Sequence, residues 1–202
     1  MEIHSKKDEE FKPDKLSIEM KIEERKIYKN ITKAKGRMIS SVDWRLMLYI
    51  NENKLDEDEV FVVEEFFKSL LNPGRYPLFT CSCGVFGCGG YYVEVVHETE
   101  GIIWLTEQSP FNDHTIASSN KFIFSWVQII KFSKGLIQEF EHLKSIMSAN
   151  ELEFNFDIEK YHRIITGIIE RYSNVRLNPC EFNSGGIKED EQETIRTVWK
   201  FQ

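Results

Sequence analysis

The chain has 202 residues, 41% hydrophobic and 29% charged, with 15 Phe. A chain of this length buries roughly 70% of its unfolded surface, so it needs no metal or disulfide staple to fold, and its composition argues against disorder. The formal charge of −7 is uneven: residues 1–40 carry 11 Lys/Arg against 8 Asp/Glu, and residues 41–202 carry 15 against 25, a balance that disfavours nucleic-acid binding by the body and favours encounter with a basic protein.

Residues 1–14 are a charged lead-in, and 15–202 are expected to form one domain. Met1–Glu10 has no apolar core of the signal-peptide kind. The longest apolar stretch, 122–132, is interrupted by Ser125, Gln128 and Lys131 and is too short to span a bilayer. The expectation is a cytoplasmic protein that does not engage membranes, in a compartment where disulfides are rare.

Leu16, Ile18, Met20 and Ile22 alternate with polar residues and predict a strand with one buried face. Residues 23–40 carry mixed signals, with Gly36 as a break. A second strand is predicted where Trp44, Leu46, Leu48 and Ile50 alternate with Arg45, Met47 and Tyr49. The acidic run Asp56–Glu59 stands before the apolar helical pattern Val60, Val63, Phe66, Phe67, Leu70, Leu71, where carboxylates complement a helix N-terminus. Asn72-Pro73-Gly74 closes that helix. Residues 92–97 and 102–106 predict a hairpin turning at Glu98–Gly101. Phe122–Phe124 and Phe154–Phe156 each read as a short F-x-F strand followed by a capping Ser125 or Asp157 and a helix, the pattern of a duplicated unit. A final alternation, Ile195 to Phe201, predicts a terminal strand. Strands that alternate, without strict β-α-β rhythm, point to an α+β fold with an antiparallel or mixed sheet and helices on one side.

The densest chemistry lies in Cys81-Ser82-Cys83-Gly84-Val85-Phe86-Gly87-Cys88-Gly89-Gly90, which holds three of the four cysteines. Cys81 and Cys83 face one side of an extended segment, and the glycines allow a tight loop that returns Cys88 to that side. Three thiolates so placed are candidate zinc ligands. The fourth is expected to be Cys180, with His114 as the alternative. His97, at the far end of the following strand, is roughly 20–30 Å away at about 3.3 Å per residue. A glycine-rich turn with small buried thiols explains the same residues without a metal. A Cys81–Cys88 disulfide fits the spacing but not the expected compartment. A Cys–His nucleophile such as Cys88 with His114 lacks a legible orienting group or oxyanion site.

At this knot the chain resembles a broad set of uncharacterised bacterial proteins that share a C-x-C-G-x-x-x-C cluster (here Cys81, Cys83, Gly84 and Cys88), an alternating strand, a Trp (Trp104) and an F-x-F strand entering a helix. The resemblance covers about residues 76–147 and implies no activity and no catalytic residue. Small acidic bacterial proteins of this kind look like immunity or antitoxin partners. The sequence therefore favours a non-enzymatic protein-interaction module, with a basic protein as partner and a cysteine corner that holds zinc. The alternative is an enzyme or a redox or metal sensor using Cys81, Cys83 or Cys88. A third reading, metal-dependent nucleic-acid binding, would rest on the basic first 40 residues.

Overall fold

The computed structural model describes residues 13–32, 35–55, 59–81, 90–107, 109–111 and 120–177. These form two antiparallel sheets and three helices, an α+β fold. The first sheet is a long ribbon: β1 (Leu16–Thr32) pairs with β2 (Lys35–Ile50), and β2 pairs with the short β3 (Asn53–Lys54). The second, in the order of the chain, runs β4 (Glu59–Phe61), β5 (Gly74–Cys81), β6 (Gly90–His97), β7 (Gly101–Thr106) and β8 (Lys121–Ser125). The helices are α1 (Val63–Ser69), α2 (Trp126–Ala149) and α3 (Ile158–Leu177).

The second sheet buries one face by simple alternation. Tyr91, Val93 and Val95 of β6, Ile102 and Trp104 of β7, and Phe122 and Phe124 of β8 point inward. α2 lays Ile129, Phe132, Leu136, Ile137, Phe140 and Leu143 along one stripe against this face, at the three-and-four spacing of a helix packed on one side. Phe66 of α1 meets both Trp104 and Phe132 edge-on, the arrangement that ring quadrupoles favour. α3 closes the layer: Tyr161 stacks on Phe67 at 4.1 Å and 8°, and Lys160 Nζ bridges to Glu64 of α1 at 3.1 Å. Lys160 holds the Glu64 carboxyl below its usual range. Burial, with Glu64 and Asp157 nearby, pushes the Tyr161 phenol up to about 12.

Several expectations are corrected here. The first strand does not stop at Ile22, nor the second begin at Trp44; both continue through the segment of mixed signals, in register from Leu16↔Ile50 to Asn30↔Gly36. Residue 14 is not loose lead-in. The Asp14 carboxylate accepts from Ile123 N at 2.7 Å and from Asn51 Nδ2 at 2.6 Å, and Asp14 N donates to Ile123 O, tying the chain entry to β8. The α1 helix starts at Val63 rather than Val60. Its N-cap, Val62, offers no side-chain acceptor, and Glu64 and Glu65 supply the first-turn carboxylates; Asp56–Asp58 lie outside the described residues. β5 was not anticipated, because Pro77 interrupts it. The register slips between Tyr76 and Phe79, which accommodates a residue with no N–H to donate.

Of the two F-x-F segments, Phe122–Phe124 is a strand and Phe154–Phe156 is not. The second packs as irregular chain, with Phe156 against Phe140 at 4.5 Å and against Trp44 at 5.7 Å. Both caps are present: Ser125 accepts from Gln128 N, and Asp157 Oδ1 accepts from Lys160 N. The expected terminal strand lies outside the described residues.

Candidate functional site

Two places carry the features from which a function can be argued: the cysteine corner and the far half of the β1–β2 ribbon. Cys81 is the last residue of β5, half-buried and paired in register with Glu59 of β4. Next to it, Gly90 opens β6 opposite Thr80 with φ +85°. A Cβ on Gly90 would overlap the backbone of Phe79 and Thr80, so only glycine gives both this left-handed turn and so close an approach of the strands.

Cys81 is disulfide-bonded, contrary to the expectation drawn from the compartment. Cys83, Cys88, Cys180 and His114 lie outside the described residues, so the expected ligand set is represented here by Cys81 alone. A sulfur in a disulfide has no thiolate to offer a metal, and the two chemistries exclude each other at Cys81. Among the described residues no three His, Cys, Asp or Glu side chains come together to hold a metal. His97 is at the other end of β6 from Gly90, as the strand length requires. Its Nε2 is 2.8 Å from Ser69 O, and its ring meets Trp126 edge-on at 5.3 Å.

The ribbon changes character along its length. On one face, the pairs Leu16/Ile50, Ile18/Leu48, Met20/Leu46 and Ile22/Trp44 follow one another, and these residues join the core or pack against it, except that Trp44 is 37% exposed while its ring contacts Phe140 and Phe156. At the next pair, Glu24/Val42, the ribbon is tied to the body: Asn150 Nδ2 donates to Glu24 Oε2 at 2.7 Å.

Past that pair the alternation persists, but its apolar residues do not join the core. Tyr28 is opposite Met38 on the face of Ile22 and Trp44, and Ile27 is opposite Ile39 on the other face. Tyr28 is 65% exposed, Met38 56% and Ile27 45%. Tyr28 lies across Gly36, where a Cβ would overlap the phenol ring. Arg25 is held by Glu23 and, at 3.4 Å, by Asp43, and Glu23 keeps the guanidinium pKa above its usual value. Lys26 and Arg37 are exposed.

Sequence reasoning missed Ile27, Tyr28, Arg37 and Met38 as functional candidates because it read 23–40 as mixed. The signal was present in another form: residues 25–42 contain six Lys/Arg and no Asp or Glu.

No family model, curated protein or solved structure matches this chain. No described helix is long and apolar enough to cross a membrane.

Proposed function

We propose that this chain is a cytoplasmic bacterial interaction module without catalysis of its own, of the immunity- or antitoxin-like kind. The observation that carries the reading is the distal half of the ribbon, where apolar side chains stand exposed on both faces. Isolated exposed apolar residues are ordinary, but a cluster shared by two paired strands suits contact with another molecule. The acidic remainder of the chain gives a second surface of opposite sign, suited to a basic protein.

The test places a photocrosslinking amino acid at Met38 on the ribbon and at Glu170 on the exposed side of α3, in cells that make the protein. Discrete crosslinked species from either position support the module. Absence of crosslinks from both, with turnover of a small substrate by the purified chain, contradicts it.

The disulfide at Cys81 supports a second reading, a corner that responds to redox state or holds zinc through Cys81, Cys83, Cys88 and Cys180 once reduced. Metal analysis after purification under reductant and without chelator separates the two. About one zinc per chain, lost in Cys83→Ser, supports the metal corner. A metal-free protein that regains its disulfide in air supports the redox corner.

A further inference from the structure

We infer that the distal half of the β1–β2 ribbon is a nucleic-acid-binding arm. The inference takes the surface on which the proposed reading rests and names nucleic acid as its occupant, leaving the acidic body as the face for a protein partner. It rests on charge segregation along one hairpin. Residues 25–42 carry six of the chain's 26 Lys/Arg and none of its 33 Asp/Glu, so the segment is +6 and the rest of the chain −13.

The −7 total, and the −10 of residues 41–202, argued against phosphate binding only while the charges were taken as mixed. The paired strands run eight residues beyond Glu24, which accepts from Asn150, the C-cap of α2. At about 3.3 Å per residue this is roughly 26 Å. The Debye length at physiological salt is about 8 Å. Arg37, level with residue 29, therefore stands about 16 Å from that anchor, some two screening lengths, where the field of the acidic body is weakened, while Lys26 stands within one.

The shape agrees. A two-stranded ribbon is one of the elements a B-DNA major groove, about 12 Å wide, admits. Along this ribbon Lys26 lies on one side of the apolar pairs Ile27/Ile39 and Tyr28/Met38 and Arg37 on the other, so phosphates flanking a groove can be met from both ends. Level with Lys26 and Arg25 on the partner strand, Ser40 and Ser41 are small hydrogen-bonding residues of the type that positions phosphate. Tyr28, resting on Gly36 and 65% exposed, presents an aromatic face on which a base can stack.

An acidic groove on a protein would also attract the arm, but its composition fits that partner less well. Four of the six cations are Lys, a residue depleted in protein interfaces, whereas Lys and Arg together serve phosphate contacts.

Fluorescence anisotropy on the full chain tests the assignment. The probes are a DNA duplex of about 20 bp, an RNA strand of equal length and polyglutamate of matched charge, each titrated from about 50 to 200 mM salt. The expected result is saturable binding of duplex or RNA that weakens steeply with salt. In the double variant Lys26→Ser/Arg37→Ser the slope of log K against log salt should fall by about 2. Lys131→Ser/Lys134→Ser on α2 should leave binding unchanged, and both variants should keep the wild-type melting profile. Three results overturn the inference: no saturable binding at about 50 mM salt, equal binding by the arm variant, or polyglutamate binding as tightly as nucleic acid, which would assign the arm to an acidic protein.

Discussion

The two halves of the β1–β2 ribbon share strands, register and alternation, yet they do opposite things. From Leu16/Ile50 to Glu24/Val42 one face is covered by α2 and by the chain that enters α3. From Arg25/Ser41 outward, apolar residues occur on both faces and carboxylates vanish. The near half is explained by folding, since burial of its apolar face offsets the cost of ordering the strands. The far half gains little from burial within its own chain, and it is this surface that the proposed partner would occupy.

The sharpest way to break this contrast is to truncate one side chain in each half. Leu48→Ala, at a position 4% exposed, should cost about 2–5 kcal/mol in urea denaturation. Tyr28→Ala should stay within about 0.5 kcal/mol. Equal losses would mean that the far half also belongs to the core.

Next in size is the response to alkali of the Tyr161–Phe67 stack between α3 and α1. Burial raises the Tyr161 phenol to about 12, above the ordinary value near 10. The stability it contributes is complete below about pH 10 and is lost as pH rises through about 12; a two-unit shift is on the order of 2–3 kcal/mol. Tyr161→Phe keeps the stack on Phe67, so its stability should fall less between pH 10 and 12 than the wild type's, followed by circular dichroism.

Smaller again, Glu24→Ala removes the bond from Asn150 that marks the boundary between the halves, and about 0.5 kcal/mol is expected for an exposed pair of this kind. Its more telling effect should be faster amide exchange beginning at residue 24 and spreading outward. The smallest effect belongs to Gly36→Val, which displaces the Tyr28 ring. Global stability should hold within about 0.5 kcal/mol, while the aromatic NMR signals of Tyr28 shift.

The same contrast explains what could be read in the sequence. The stripes of α2 and α3, the β6–β7 hairpin and the caps Ser125 and Asp157 were legible because each residue's polarity matches the face it occupies. The ribbon beyond Ile22 was not, because a strand exposed on both faces has no one-sided pattern to display. β5 was hidden by Pro77 and by three consecutive buried residues, Leu78, Phe79 and Thr80, which break alternation where the register slips. Phe154–Phe156 imitated a strand because both rings pack on Phe140, a contact that irregular chain makes equally well.

At the candidate sites, Cys81 and the Gly90 corner were anticipated from residue type and spacing. The arm was anticipated only as the basic first 40 residues, because net charge was summed over that span. Within that span the carboxylates of residues 2–24 mask a run of cations that the fold holds apart on its own hairpin.

Hydrogen exchange of the full chain, alone and with an excess of duplex DNA, tests the central claim most directly. The account predicts fast exchange over the ribbon tip in the free protein and new protection confined to residues 25–41 on binding. Protection centred on α2 or α3, with residues 25–41 unchanged, would contradict it.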